Sequence, residues 1–180
     1  MSAIFPATAA GFDHPIDILD GCHQRIRRHC ELIGRLAEHL AAKGADAEAR
    51  RAARSIVRFF ETAGANHHRD EEDDLFPTLE RIAPSLELNA VRDLVHRLRK
   101  DHRKLDGLWL QMRVRLGEVA AGDPVRIDPK AAAAFALAYY RHIALEEAEL
   151  LPLARRLLDA SLVERLGDRM ARRRGARTPS

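Results

Sequence analysis

The stretch NHHRDEEDDLFP, residues 66–77, joins two histidines and a run of acidic residues directly to an apolar end. A similar stretch, HIALEEAELLP, occupies residues 142–152. Both follow the pattern His-x-x-x-Glu-Glu-x-x-Leu-(Phe/Leu)-Pro, and each position of the first lies 75 residues before its counterpart. The chain therefore contains an internal repeat, and a repeated unit of this length indicates a repeated piece of structure.

A second, looser match strengthens the repeat. CHQRI at residues 22–26 resembles DHRKL at residues 101–105, at an offset of 79. Each half of the chain thus offers one lone histidine and, about 40 residues later, one His-x-x-x-Glu. We interpret the halves as two duplicated helical hairpins, and we predict that their equivalent side chains meet at the centre of the fold.

The periodicity of apolar residues is helical along the whole chain. Ala, Leu, Arg and Glu dominate the composition, while Gly and Pro occur at widely spaced breaks. We predict an all-α fold, an up-down-up-down four-helix bundle with a short additional C-terminal helix. The predicted helices span about 15–42, 47–79, 85–120, 129 to beyond 150, and 161–173.

The predicted domain organisation is simple. A length of 180 residues suits one domain. We expect an N-terminal extension at 1–12, the bundle at 13–174 and a basic, flexible C-terminal tail at 175–180. Residues 169–180 hold five arginines and no acidic residue, so the net charge of +3 belongs to this end of the chain. We interpret these arginines as solvated, and we expect no nucleic-acid partner.

The sequence also bears on the cellular compartment. The longest apolar run, AAAAFALAYY, is 10 residues long, too short to span a bilayer. The N-terminus lacks the basic start and apolar segment of a signal peptide. Cys22 and Cys30 would lie roughly 12 Å apart on one helix, too far for a disulfide. We therefore expect two free thiols, a cytoplasmic location and no membrane partner.

Six polar side chains interrupt the apolar stripes of the four long helices. His67 and Glu71 are four residues apart, so they share a helix face with Phe60 and Leu75. His23 follows the stripe of the first helix in the same way. The full set of predicted inward-facing polar residues is His23, His67, Glu71, His102, His142 and Glu146.

A metal site is the interpretation we prefer for this set. A single His-x-x-x-Glu on a helix is usually a surface ion pair, but its repetition at matched positions argues against that explanation. Buried imidazoles and carboxylates without partners cost several kcal/mol. A metal pair offsets this cost, with two glutamates as bridges and four histidines as terminal ligands. Imidazole nitrogen and carboxylate oxygen suit iron, manganese or zinc.

The remaining polar and aromatic residues are given other roles. We predict that Glu72, Asp73, Asp74, Glu147 and Glu149 face solvent, and that Trp109, Phe135, Tyr139 and Tyr140 belong to the core. We expect His14, His29, His39 and His96 at the surface or its edge. His68, next to a predicted ligand, is interpreted as a supporting residue or an additional ligand. Cys22, beside His23, is expected to be a buried and inert thiol.

The doubled motif, each copy preceded by a lone histidine, resembles the hemerythrin-like (HHE cation-binding) domain. The resemblance covers residues 13–174, including the closing LVERLGDRMARRRG. It implies a four-helix bundle around a non-haem di-iron centre with an oxo or hydroxo bridge, which favours iron over manganese or zinc. The implied ligands are His23, His67, Glu71, His102, His142 and Glu146, with Glu71 and Glu146 as the bridging carboxylates.

The pattern departs from the oxygen-carrying members of that family. Those members use a fifth histidine four residues from the one on their third helix, where this chain has Leu98 and Asp106. Asp106 could ligate, whereas Leu98 cannot. With four histidines and two glutamates, the chain is more similar to a bacterial branch that resembles iron–sulfur-centre repair proteins. It lacks the N-terminal cysteine-containing segment that this branch often carries.

The expected function is binding or sensing of a small gaseous ligand, dioxygen or nitric oxide, or service in iron or redox stress. One alternative is an enzyme that repairs iron centres or removes peroxide or nitric oxide. Another is an iron-responsive module that binds a protein partner without catalysis. No catalytic residue is predicted, and the absence of H-E-x-x-H and of a nucleophile motif argues against a zinc or manganese hydrolase.

Overall fold

The computed structural model describes residues 11–176, and every regular element within them is a helix. The predicted all-α fold is confirmed, and the predicted helix ends lie within one turn of the observed ones. The five helices are α1 (Pro15–Lys43), α2 (47–82), α3 (Leu88–Ala121), α4 (129–157) and α5 (Ala160–Arg173).

Local side-chain chemistry explains where the helices begin and end. The carboxylates of Asp46, Asp128 and Asp159 accept hydrogen bonds from backbone N–H groups in the first turns of α2, α4 and α5. Such caps satisfy donors that have no partner within the helix. Gly122 ends α3 with a left-handed φ of 97°, a conformation that glycine adopts without steric cost.

Helices α2 and α4 each widen into a π-helical turn directly before the proline of the repeat. The turns are Asp70–Leu75 in α2 and Glu146–Leu150 in α4. Pro77 and Pro152 donate no backbone hydrogen bond, and each ring displaces the carbonyl group four residues earlier. The wide turn accommodates that displacement, so both helices continue past their prolines. A second wide turn of α2, Phe60–Gly64, directly precedes the short α-helical segment that carries His67.

The long helices pack in a closed cycle of neighbours. Helix α1 packs on α2 and α4, and α3 packs on the same two helices from the other side. This pairing is compatible with the predicted four-helix bundle. Helix α5 lies against α1 and against the Asp70–Leu75 turn of α2.

The core consists of two apolar clusters. One contains Ile26, Phe60, Leu105 and Tyr139, and the other contains Leu19, Leu75, Leu98 and Leu150. Each long helix contributes to both clusters. On each helix, residues between the two contributions form a polar layer inside the molecule. The predicted core residues Trp109, Phe135, Tyr139 and Tyr140 all belong to, or pack against, the first cluster.

The ends of the chain are described only in part. Most of the predicted extension at 1–12 and of the predicted tail at 175–180 lies outside the described residues, so these boundaries stay predictions. Phe12 packs against the second apolar cluster. Between residues 11 and 176, no helix is long and apolar enough to cross a membrane.

Candidate metal centre

All six predicted ligands lie in the polar layer between the two apolar clusters. Helix α1 contributes one histidine and α3 another, while α2 and α4 each contribute a histidine and a glutamate. Every one of these side chains is buried, with at most 2% of the residue exposed: His23, His67, Glu71, His102, His142 and Glu146. The structure therefore brings together the whole set that the sequence pattern singled out.

Glu146 lies at the centre and faces all four histidines. Its Oε2 is 3.0 Å from Nε2 of His23 and 3.9 Å from Nε2 of His67. Its Oε1 is 3.0 Å from Nε2 of His142 and 3.8 Å from Nε2 of His102. Each oxygen of this carboxylate thus faces a different pair of imidazoles.

Glu71 enters the layer from the opposite hairpin, and each of its oxygens faces one histidine. Its Oε1 is 3.6 Å from Nε2 of His67, and its Oε2 is 3.4 Å from Nε2 of His102. The result is two groups of four potential ligands that share both glutamates. Within each group the ligand atoms lie within 4.8 Å of one another: His23, His67, Glu71 and Glu146 in one, and His102, His142, Glu71 and Glu146 in the other.

Most of the ligand atoms lack a well-aligned hydrogen bond. Both ring nitrogens of His23 and His67, both oxygens of Glu71 and Glu146, and Nδ1 of His142 have no such partner among the described residues. Unsatisfied buried polar atoms are costly. Metal ions would satisfy the carboxylate oxygens and the Nε2 atoms that face them, and imidazole with carboxylate is a donor set for iron, manganese or zinc. The residues present therefore fit a pair of transition-metal ions.

Burial and crowding shift the pKa values of these groups in opposite directions. Burial and the charge of Glu146 raise the pKa of Glu71 well above its usual range. Burial alone would raise the pKa of Glu146, but His142, His102 and His23 hold it well below that range. Burial lowers the pKa of His67 to about 3, so this imidazole is neutral and free to ligate.

His102 behaves differently because three carboxylates face it. Burial opposes its charged form, yet contacts with Glu146, Glu71 and Glu72 raise its pKa to about 11. Without metal the centre therefore retains protons. Metal ligands must be deprotonated, so loading this centre has to release protons.

Two further carboxylates lie close to the Nδ1 atoms of two candidate ligand imidazoles. Oε1 of Glu72 is 2.7 Å from Nδ1 of His102, and Oε1 of Glu147 is 3.3 Å from Nδ1 of His23. Arg27 donates two hydrogen bonds to Glu147, at 2.8 and 2.7 Å. The predicted solvent-facing role of Glu72 and Glu147 is wrong, because both are half-buried against the centre. The sequence contained a clue to this role, because both copies of the motif have a second glutamate directly after the first.

Asp74 is a further correction. It was predicted to face solvent, yet it is only 4% exposed and pairs with Arg169 and Arg173. The expectation that the arginines of 169–180 are solvated is therefore wrong for at least Arg173, whose side chain is 16% exposed. The cause is α5, which folds back onto the turn that carries Asp74. Asp73 and Glu149 are exposed as predicted.

His68 lies beside one half of the centre. Its ring stacks on that of His102 with centroids 4.1 Å apart, and its ring nitrogen can approach those of His102 and His142 to within 4.8 Å. Its Nδ1 lies 3.7 Å from Asp106, whose side chain is 67% exposed. Burial lowers the pKa of His68 to about 4, so it is neutral. Ligation by His68 or by Asp106 stays a prediction.

Fold and site together define a class of protein: an all-helical metal-binding protein whose core holds a histidine–glutamate centre. A sequence model described as the hemerythrin HHE cation binding domain matches residues 14–154. The chain is also 31% identical over 174 residues to an uncharacterized protein of Haemophilus influenzae, and the aligned region covers 97% of this chain and 98% of that protein. The chain therefore belongs to the hemerythrin HHE cation-binding domain family, as the motif predicted.

Proposed function

We propose that the protein holds two iron ions in its polar layer and uses them to bind or sense a small gaseous molecule, dioxygen or nitric oxide. A single observation carries the proposal. Glu146 points each of its two oxygens toward a different pair of histidines, and Glu71 points one oxygen toward His67 of the first pair and the other toward His102 of the second. Shared carboxylates in this geometry suit two ions side by side better than one.

The proposed ligand sets leave room for a small molecule. Each ion would receive two imidazole nitrogens and two carboxylate oxygens from the described residues. Iron accepts up to six ligands, so each ion keeps open positions for a ligand from solution. When bound, the ferrous pair supplies electrons to a diatomic ligand. The four long helices, in the bundle that we propose for them, hold the two ligand groups in register.

The protein's own residues set the environment of that chemistry. Leu98 and Phe76 on one side and Tyr139 on the other exclude water from the polar layer. Glu72 fixes the orientation of the His102 imidazole through its Nδ1 atom, and Glu147 lies close to Nδ1 of His23. The free buried thiols Cys22 and Cys30 suit a reducing compartment, which supports a cytoplasmic location.

A second candidate is an iron-responsive interaction module. The unsatisfied imidazole and carboxylate atoms favour it, because losing the metal would leave them unpaired inside the core and loosen the helices. A protein partner could then read the loaded state without any turnover. Removal of peroxide or nitric oxide, or repair of iron centres, would use the same residues, since the fold alone does not choose among these activities.

The test is anaerobic loading with Fe²⁺, followed by metal analysis and absorption spectra under dioxygen and nitric oxide. We expect two irons per chain and spectral changes that reverse when the gas is removed. One zinc and no response to either gas would contradict the proposal, and steady consumption of the gas would indicate an enzyme. His142→Ala should abolish the response, while His96→Ala, at an exposed position of α3, serves as the matched control.

A further inference from the structure

A cluster of buried ion pairs joins α5 to the turn that carries Glu71. Asp70 is fully buried, and the guanidinium groups of Arg173 and Arg174 both donate to its carboxylate. Nη2 of Arg174 lies 2.5 Å from Oδ2 of Asp70. Arg169 and Arg173 donate to Asp74 at 2.8 and 2.6 Å. Three arginines of one helix end thus neutralise two carboxylates of α2.

The position of the two aspartates gives the cluster its significance. They lie within the π-helical turn Asp70–Leu75, and Asp70 directly precedes the proposed bridging ligand Glu71. Leu166 and Met170 of α5 pack in the same apolar cluster as Leu75. Helix α5 therefore contacts this turn through both ion pairs and apolar packing.

The other copy of the motif is held differently. The position that corresponds to Asp70 is Leu145, an apolar residue packed against the second core cluster. The position that corresponds to Asp74 is Glu149, whose side chain is 46% exposed and pairs with Arg97. Both turns pack into the core, but the turn carrying Glu71 is also held by buried ion pairs to a separate C-terminal helix, which the turn carrying Glu146 lacks within residues 11–176.

We propose that Arg173 and Arg174 are positioning residues for Glu71, which act through Asp70 to fix the turn and thereby set how tightly the metal pair is held. A buried carboxylate that loses its partners is strongly disfavoured. The turn would have to move to bring Asp70 to water, and Glu71 would move with it. Metal ligands displaced in this way bind weakly. The proposal rests on the metal pair proposed above.

The experiment compares Co²⁺ binding by the full chain and by its variants, followed through the d–d absorption of bound Co²⁺, together with thermal melts without metal. Arg174→Gln should weaken Co²⁺ binding at least tenfold and alter the spectrum of the bound ion. Asp70→Asn should also weaken Co²⁺ binding, and the double variant should lose less than the sum of the two single losses, because Arg174 acts through Asp70. Arg156→Gln, which breaks an exposed ion pair with Glu87, should bind like the unaltered protein.

The outcomes separate the two proposals. If the unaltered chain binds fewer than two Co²⁺, the metal pair itself is refuted. The positioning role is refuted if the unaltered chain binds two Co²⁺ and Arg174→Gln lowers only the melting temperature. In that case the Co²⁺ affinity of the variant stays within twofold of the unaltered protein, and the spectrum of the bound ion is unchanged. Should Arg174→Gln fail to fold, Arg174→Lys replaces it. Lysine keeps the charge but cannot donate to both oxygens as a fork, so weaker Co²⁺ binding than in the unaltered protein supports the role and unchanged affinity refutes it.

Discussion

Replacing Glu72 by Gln should weaken metal binding without removing any ligand. The Glu72 carboxylate lies 2.7 Å from Nδ1 of His102, and this contact lowers the pKa of Glu72. Changing such an outer partner typically costs 10- to 100-fold in metal affinity. The Glu72 side chain is 37% exposed, and glutamine can still accept a hydrogen bond. We therefore expect the lower end of the range, about tenfold or about 1.4 kcal/mol.

The assay is competition between the protein and a chelator for Co²⁺ or Fe²⁺ under anaerobic conditions. Glu147→Gln should have a smaller effect, because Glu147 lies farther from its histidine, at 3.3 Å, and is already paired with Arg27. Glu149→Gln is the control, since that exposed carboxylate pairs with Arg97. Equal affinities for Glu72→Gln and Glu149→Gln would refute the role assigned to Glu72.

Three further predictions concern packing and reactivity. Gly167→Ala should lower the free energy of unfolding by about 1–3 kcal/mol, because the added Cβ would overlap the Phe12 carbonyl. Gly34→Ala, in open space on α1, should instead raise it by about 0.5–1 kcal/mol. Urea titrations of both variants measure these changes in the free energy of unfolding, and equal changes would exclude the overlap. Phe135→Ala should cost about 3–5 kcal/mol in the same assay, and a loss below about 1 kcal/mol would show that this ring is not part of a packed core. Burial raises the pKa of Cys30 to about 12, so its thiol stays protonated near neutral pH and should react with a thiol reagent far more slowly in the native protein than in urea. Fast native labelling would contradict its burial.

The burial of the six candidate ligands could be predicted from the sequence because its signal is local and repeated. His67 and Glu71 are one helical turn apart, and the same spacing recurs at His142 and Glu146. Their place on the apolar stripes indicated burial, which the structure confirms at 2% exposure or less. The helix ends depend on equally local chemistry, since the Asp46 carboxylate caps the first turn of α2.

Other features depend on contacts that no local pattern reports. Asp70 and Arg174 are more than 100 residues apart, and an arginine-rich chain end usually faces solvent. Only the folded chain shows that α5 returns to the Asp70–Leu75 turn. The π-helical turns were also missed, because an average helical period does not register one widened turn. The proline that follows each of them, such as Pro77, was the available clue.

The central claim is that Glu71 and Glu146 are shared by two metal ions. Iron analysis with Mössbauer spectroscopy on the unaltered protein and on Glu146→Ala tests it most directly. We predict two magnetically coupled irons per chain in the unaltered protein, and loss of the coupled pair in Glu146→Ala. Two coupled irons in Glu146→Ala, or a single uncoupled iron in the unaltered protein, would contradict the claim.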